Sequence, residues 1–518
     1  MKQTLIYILL VFSSIFSALA QEKDTLNFGT KSKSFITDST NFTAYNFAKS
    51  SPFYLKSLMP LKYNRLSAGY NFEKGNLTLA QNATSLNNAN LITEGISQLN
   101  SISIWGQFSY HKIVEDSTAF AHQTRNNVAN PYYFGSPKSV SYQRAIYNLK
   151  ALASRNFIQN NLPIGLGVDY RIGNHYSTND PRGDIGDYQL NLIGTIGYNL
   201  TKSLRVGAGY RYGYGLEKVN VAYKNSSVSQ GKLIPEFNNY LINGYGEPEI
   251  FNTDRTFQNN STRNGIDAYI GYNSNKIGNF NFSFQAIKEI QDYNYRTGEG
   301  ITEYIKFNIV NEYYKLLWLK NISKNSLSVE LGYQTNDGDN FINKYLANSY
   351  LYNNNILNLK SAFTLKKNQF SHNFVIGLRK YEERKRDGIA GNDIRLNQLN
   401  YTINYGLTHV NEKSQSWGFS ITGIYDQYLD SDFEVLRINE GVFTRNVIYH
   451  DYAYNTTSKF GGNLTFDYSI PLFNQIQAGI KWSTTYLRRN DLQDFGRILT
   501  KVPGKDRFFS NISLNLYF

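Results

Sequence analysis

The sequence contains no cysteine among its 518 residues. Disulfide bonds, thiolate metal sites and a lipid-modified N-terminal cysteine are therefore excluded. Proline (10) and methionine (2) are also scarce. After the N-terminal stretch, no run approaches the roughly 18 apolar residues that a membrane-spanning helix requires. The fold therefore depends neither on a disulfide framework nor on spanning helices beyond that stretch.

Aromatic residues and glycine are abundant instead. The chain has 42 Tyr, 33 Phe and 39 Gly, with a mean hydropathy of −0.45. This composition disfavours helices and favours strands and turns. The formal net charge of +13 suggests contact with anionic lipid headgroups or an anionic solute. The charges are scattered, and no basic patch with stacking aromatics predicts a nucleic-acid partner.

The N-terminus has the organisation of an export signal. Lys2 precedes the apolar run 5–16, and Ala18-Leu19-Ala20 supplies the small residues that signal peptidase requires. We predict a signal peptide over 1–20, with cleavage before Gln21. An uncleaved anchor is the alternative, but the run is short for about 30 Å of hydrocarbon. Export across the inner membrane is the expectation.

Residues 21–64 are polar and weakly patterned, with breaks at Ser51-Pro52 and Met59-Pro60. We predict a periplasmic lead-in or a short insert into a barrel. From residue 65 to 518, segments with period-two alternation follow one another as hairpins. Alternation that runs from 101–110 to the C-terminus predicts about 16 strands, and 18 if the candidates 66–72 and 91–96 are included. Short connections alternate with mostly long ones, such as 112–141, 215–264 and 430–457.

The last strand carries the most regular pattern. Its apolar residues, separated by Asn511, Ser513, Asn515 and Tyr517, are Ile512, Leu514, Leu516 and Phe518. An ordinary edge strand of a soluble sheet is the alternative. With its terminal Phe, the strand resembles the C-terminal signal strand of bacterial outer-membrane β-barrels. That resemblance implies that these four residues form an assembly signal read by the barrel assembly machinery.

The Ala-Leu-Ala-Gln cleavage region, the Asn- and Tyr-rich strands and the terminal Phe together resemble outer-membrane barrels of Bacteroidota. The resemblance covers the whole mature chain, and no motif identifies a characterised subfamily. It implies an all-β, antiparallel transmembrane β-barrel in the outer membrane of a Gram-negative cell. Outer-membrane lipid and lipopolysaccharide would then be its surroundings. In hydrocarbon every backbone polar group must be paired, so strands can span only as a closed cylinder.

Placing the apolar strand residues outward predicts which charged residues line the lumen. The basic ones are Arg144, Lys150, Arg171, Arg205, Arg211, Lys360, Arg379, Lys459 and Lys481. The acidic ones are Asp169, Asp267, Glu330, Asp426 and Asp467. The basic excess would bias a water-filled pore toward anions. Alternatively these charges pair across strands and stiffen the wall, and one bulge would invert the facing beyond it.

Motifs for catalysis are weak. The histidines that have nearby acids are His175, close to Asp180 and Asp184, and His450, beside Asp451. No convergent catalytic site, spaced metal-ligand set or cofactor motif is present. Gly207 to Gly213 lacks the following helix of a phosphate-binding loop and is interpreted as small residues on a lumen face. We therefore predict no catalytic, metal-binding or cofactor-binding residues.

Three functional hypotheses follow from these patterns. The first is a channel or porin-like transporter for small hydrophilic solutes, with a preference for anions. The second is a non-conducting barrel component of an envelope complex, whose long loops or lumen dock a partner protein. The third is a hydrolase at the barrel rim.

Overall fold

The computed structural model describes most of the chain, namely residues 28–60, 62–124, 129, 131–159, 161–228, 234–252, 255–297, 300–436, 440–473 and 476–518. The predicted signal peptide and its cleavage site lie outside the described residues. None of the helices among the described residues is long and apolar enough to cross a bilayer.

Strands dominate the described residues. In chain order they are β1 (Tyr63–Lys74), β2 (Ser85–Leu99), β3 (Ile102–Thr118), β4 (Tyr132–Gly135), β5 (Val140–Phe157), β6 (Leu162–Ser177), β7 (Arg182–Asn199), β8 (Leu204–Ala222), β9 (Tyr240–Asn243), β10 (Glu249–Ile250), β11 (Thr256–Ser274), β12 (Gly278–Thr297), β13 (Gly300–Ile322), β14 (Asn325–Ile342), β15 (Tyr350–Lys367), β16 (Phe370–Asp387), β17 (Asn392–Val410), β18 (Ser416–Glu434), β19 (Lys459–Phe473), β20 (Ile476–Arg489) and β21 (Asp506–Tyr517).

Within the described residues, eighteen of these strands form one closed antiparallel barrel. Each pairs with its neighbours along the chain, and β1 closes the cylinder by pairing with β21, where Ala68 lies opposite Leu514. Closure means that neither β1 nor β21 remains a free edge of the sheet. The predicted fold class is confirmed, as is the higher of the two strand counts.

The count of about 16 strands is wrong because β1 and β2 are both part of the wall. The sequence signal of β2 is weak for a physical reason. Its inward face carries Ile92, which lines a cavity, and Ile96, which is buried in a hydrophobic core. The apolar residues are therefore divided between the two faces, and the alternation is blurred.

The strands extend further than predicted because their polarity inverts. On β8, Tyr210, Tyr212 and Tyr214 are exposed on the outer face, as expected of residues that contact lipid. Further along, Lys218 is exposed on that face, whereas Val219 is buried on the inner face. The expected loop 215–264 is therefore wrong in its bounds, since β8 ends at Ala222 and β11 begins at Thr256.

The connections distinguish the two ends of the barrel. At one end, here called the turn end, the described connections are short, as at 100–101, 200–203 and 368–369. The other end, here called the loop end, carries the long connections 119–139, 223–255 and 435–458. Short periplasmic turns and longer extracellular loops are typical of outer-membrane barrels.

Residues 28–60, here called the plug, lie inside the barrel at the turn end. The plug contains α1 (Phe28–Thr37), α2 (Ser39–Ala48), the 3₁₀ turn Pro52–Tyr54 and α3 (Leu55–Leu58). Asp38 caps α2 by accepting hydrogen bonds from the backbone N–H groups of Thr40 and Asn41. Successive parts of the plug contact β1, β20 and β21, then β13–β16, then β5–β7 and β3. The plug therefore touches the wall on several sides of the lumen.

The loop end is covered by a second structure, here called the cap. It consists of the small sheet β4–β9–β10, the 3₁₀ turn Pro235–Phe237, the π-helical turn Thr444–Ile448 and α4 (Tyr449–Asn455). Phe134 and Leu241 of the cap sheet are buried in one core with the wall residues Phe257, Tyr293 and Phe307. The apolar inner faces of the extended strands thus bind the cap.

The facing of β21 generates a test. Leu514 is 62% exposed on the outer face, and the adjacent Ser513 lines the lumen. We expect Leu514→Arg to destabilise the folded barrel by up to about 2–4 kcal/mol, because a lipid-facing charge is costly, and most costly toward the bilayer centre. Urea unfolding in phospholipid vesicles measures the change. Ser513→Arg is the matched control, and an equal loss in both variants would contradict the assigned faces.

Candidate functional site

The structure places all the predicted lumen-lining residues on the inner side of the wall. Arg211, for example, lies between the outward-facing Tyr210 and Tyr212, and Lys481 lies between the outward-facing Ile480 and Trp482. These residues do not form one cluster. Some pair with a neighbouring strand, some contact the plug or the cap, and Lys481 faces a cavity.

One group is paired across adjacent strands. Arg211 Nε lies 2.9 Å from both carboxylate oxygens of Asp267, and its Nη2 donates to the backbone oxygen of Ser50 at 3.0 Å. Lys150 Nζ and Asp169 lie 3.8 Å apart. Glu330 is the register partner of Lys360 on the next strand. For these residues, charge is balanced within the wall.

A second group contacts other inner side chains. Arg171 forms an ion pair with Asp187, and Asp426 accepts a hydrogen bond from Asn400. Lys459 Nζ lies 4.1 Å from the ring centre of Tyr454 in the cap region. Arg379 remains exposed on the inner face, with its guanidinium 5.9 Å from the ring of Tyr381.

Arg205 contacts the plug. Its guanidinium lies 5.2 Å from the ring centre of Phe53, and its Nη2 donates to Asn281 Oδ1 at 2.9 Å. Gly207 explains the small residues noted in this strand, because a Cβ there would lie 2.6 Å from the Phe53 ring. The wall is therefore shaped to receive the Pro52–Tyr54 turn.

Sequence reasoning missed Lys33, which links α1 to the wall. Its Nζ lies 2.8 Å from Asp467 Oδ1 and donates to Ser416 Oγ at 2.6 Å and Ser469 Oγ at 2.8 Å. Burial lowers the pKa of Lys33, and the Asp467 carboxylate opposes that shift. Only the polar character of residues 21–64 hinted at such a role. The predicted lumen residue Asp467 is thus the partner of a plug residue.

A second plug contact surrounds Glu94, which is almost fully buried on β2. Its carboxylate lies 2.9 Å from Lys49 Nζ and 2.8 Å from Arg65 Nη2. It also accepts hydrogen bonds from the hydroxyls of Tyr45 and Tyr63, at 3.0 and 3.3 Å. A buried carboxylate requires such partners. Glu94 therefore joins the end of α2 to the wall.

The two sides of the plug are attached differently. On one side Phe53 stacks on Tyr269 at 4.9 Å, and Leu55 is buried in a core with Leu152 and Leu317. On the opposite side, the contact of α1 with β18 and β19 is polar and runs through Lys33. Phe35 of α1 packs against Tyr45 of the plug and Tyr63 of β1.

A cavity of about 480 Å³ lies beside α1, between the plug and the wall strands β1–β3 and β16–β21. It is here called the lumen cavity. Its charged lining residues are Lys33, Arg65, Asp467 and Lys481, and His111 also faces it. Most of the remaining lining is amide and hydroxyl. A second cavity, of about 410 Å³, lies at the turn end beside Arg205 and Ser57.

The two histidines noted in the sequence each lie beside an acidic residue in the described part of the chain. The expected neighbours of His175 are wrong, since its Nε2 lies 2.8 Å from Asp187 Oδ1. His122 in the cap contacts the Tyr142 hydroxyl, and burial lowers its pKa to about 3. His450 Nδ1 lies 3.4 Å from Asp451. No three His, Cys, Asp or Glu side chains of the described part form a group that could hold a metal.

Comparisons with known proteins give a family. A family model described as "Family of unknown function (DUF6850)" matches residues 52–518. No curated protein matches the chain. Three solved structures are similar at low identity. They are the ferric-catecholate import receptor Fiu of E. coli K12 (8% identity, TM-score 0.41, 88% of this chain and 81% of that chain), the copper transporter OprC (8%, 0.39, 87% and 80%) and OccAB2 of Acinetobacter baumannii (11%, 0.31, 88% and 98%). At these values the similarity carries no inference about function.

The Glu94 contact generates a test of plug attachment. Glu94→Gln removes the only carboxylate that Lys49 and Arg65 are shown to contact, and leaves these two partly buried cations uncompensated. We expect docking of the plug to weaken by about 3–5 kcal/mol, the usual effect of breaking a buried ion pair. Protease cleavage within residues 28–60 of the reconstituted protein measures undocking. Glu312→Gln on β13 is the control, and equal protection of both variants would contradict the proposed attachment.

Proposed function

Because the chain belongs to the Family of unknown function (DUF6850), whose description names no activity, we propose a function from the barrel itself. We propose that the protein is a gated outer-membrane channel for small hydrophilic solutes, with a preference for anions. The observation that carries this proposal is the uneven attachment of the plug. Its Pro52–Leu55 part is buried in an aromatic core. α1 borders that core with the partly buried Phe35 and Ile36, and its described contacts with the opposite wall are polar, from Lys33 to β18 and β19 and from Asn373 of β16 to the Thr37 backbone oxygen.

The uneven attachment suggests which part of the plug moves. An eighteen-stranded barrel is wider than its own wall side chains can fill, so its conductance depends on what occupies the lumen. Separating the aromatic core would expose apolar surface to water, which is unfavourable. Displacing α1 would hydrate the polar groups around Lys33 beside the lumen cavity, and of the residues at the aromatic core it would move the partly buried Phe35 and Ile36. The gate is therefore α1, and the Pro52–Leu55 segment stays in place.

The preference for anions rests on cations that are exposed on the inner face. Arg379 and Lys481 form no ion pair within the described residues. Arg211, Lys33 and Arg65, in contrast, are already paired with Asp267, Asp467 and Glu94. Uncompensated positive charge along a wet passage attracts anions and repels cations.

We also propose that the protein lies in the outer membrane. Export by the predicted signal peptide and insertion by the barrel assembly machinery, which would read the C-terminal strand, would deliver the protein to the outer membrane of a Gram-negative bacterium. The exposed apolar belt of the wall supports contact with membrane lipid, as shown by Leu514 and Ile376 at 62% and 60% exposure. The turn end would then face the periplasm and the cap would face outward.

A second candidate function is a non-conducting barrel that docks a partner protein of the envelope. The cap favours it, because Tyr132, Phe134 and Leu241 are packed as a continuous core against wall residues such as Phe257 and Tyr293. A cap with a packed interior can present a fixed outer surface to a partner. Conductance separates the two candidates.

The first test removes the contact that Lys33 of α1 makes with the wall. Lys33→Ala deletes the cation and leaves Asp467 without that partner, which should favour displacement of α1 by about 3 kcal/mol. That is a roughly 100-fold increase in the ratio of open to closed channels. Single-channel recording in a planar bilayer under a salt gradient measures it. We expect long closures in the wild type, and frequent openings with an anion-biased reversal potential in the variant.

The control is Lys56→Ala on α3, where the side chain is exposed. Because the chain lacks cysteine, Lys33→Cys with Ser469→Cys provides a second test. Linking the two thiols with a short bis-maleimide should abolish the openings. Folded Lys33→Ala that stays as silent as the wild type would refute gating by α1 and support the docking candidate. Openings that persist after cross-linking would also contradict the gate.

A further inference from the structure

Lys481 is a charged residue of the lumen cavity that is not part of the described contacts between the plug and the wall. It is exposed on the inner face of β20 and lines the cavity. Its register partner on β19 is Asp467, whose carboxylate is engaged by Lys33. Within the described parts of the chain, Lys481 forms no hydrogen bond or ion pair. A cation placed beside an already paired carboxylate is available for an external anion.

The neutral lining of the cavity complements that charge. Amides come from Asn90 on β2, Asn404 on β17, and Asn511 and Asn515 on β21. Hydroxyls come from side chains such as Thr465. The Nδ2 groups of Asn404, Asn511 and Asn515 already donate hydrogen bonds within the wall. Each of these amides also has a carbonyl oxygen that can accept from a ligand hydroxyl, so the lining suits a ligand that carries several hydroxyl groups. An apolar ligand would leave these groups unpaired, and a cation would face a basic wall.

The volume limits the size of the ligand. About 480 Å³ lies within the range of small-molecule sites and is too small for a polymer segment of many units. We propose that the lumen cavity binds a small polyhydroxylated anion, with one carboxylate or phosphate held by Lys481 and the hydroxyls held by the surrounding amides. A small polyhydroxylated anion would then be the class of solute that the proposed channel carries. The role of this site in transport rests on that proposed function.

Binding has a direct consequence for α1. An anion held at Lys481 lies beside Asp467, the register partner of Lys481, and therefore close to the ammonium of Lys33. A second anionic group there competes with the Asp467 carboxylate for Lys33. The bound solute thus weakens the contact that holds α1 to the wall, and the channel is opened by its own solute.

Calorimetric titration of the full-length protein in detergent at low salt tests the site. The probes are glucuronate, glucose 6-phosphate, glucose and acetate, which separate the carboxylate, the phosphate, the hydroxyls and the bare charge. We expect saturable binding of glucuronate or glucose 6-phosphate, and binding at least about tenfold weaker for glucose and acetate. Equal affinities for all four, or no saturable binding of any, would overturn the proposal.

Variants assign the binding to Lys481. Lys481→Met should weaken binding of the preferred anion about tenfold or more, and Lys481→Arg should retain it. Lys360→Met is the matched control, because Lys360 also faces inward but does not line the cavity. Unchanged binding by folded Lys481→Met would overturn the assignment, and if that variant does not fold, loss of binding by Lys481→Arg would do so. Binding without any conductance would keep the site and reject the channel.

Discussion

The structure depends on one constraint, which is that backbone N–H and C=O groups cannot remain unpaired in hydrocarbon. Pairing of β1 with β21 meets this constraint, because it removes the last two free strand edges. Closure also sets the diameter, since a barrel of eighteen strands encloses more space than its inward side chains can fill. The interior therefore has to hold water, other parts of the chain, or both. Here the plug enters from the turn end and the cap covers the loop end.

The same alternation of residues serves two environments along each long strand. Near the turn end of β8, tyrosines face outward and the glycines and Arg211 face inward. Near the loop end, Lys218 faces outward and Val219 is buried against the cap. The period of two is unchanged. Toward the turn end the apolar residues face outward, and toward the loop end they face inward. Bulges add a further change, as at Asn397 and Gln398 opposite β18, where the register shifts by one residue.

Charge in the interior is arranged around the plug. Glu94 and Asp467 are wall carboxylates, and each binds a lysine from residues 28–60. Glu94 is enclosed by Lys49, Arg65 and two tyrosine hydroxyls, whereas Asp467 lies at the edge of a cavity. This difference separates a fixed part of the plug from a part whose partners are accessible to solvent. In the proposed channel, this difference would allow α1 to move while the Pro52–Leu55 segment stays in place.

The sequence by itself determined the fold class. Apolar and polar residues alternate with a period of two over segments such as 204–214, and this period is typical of strands and can be read from neighbouring residues alone. It also indicated the side on which Arg211, Asp467 and Lys481 would lie. It could not show that Asp467 binds Lys33, since those residues are 434 positions apart in the numbering and no local pattern records the contact. The tertiary structure likewise decided where the plug lies, which residue pairs with His175, and how residues within 215–264 take part in the core of the cap. Each depends on which distant segments meet once the barrel closes. When the interior is filled by residues far away in the sequence, the local hydrophobic period of a strand says little about its inner neighbours.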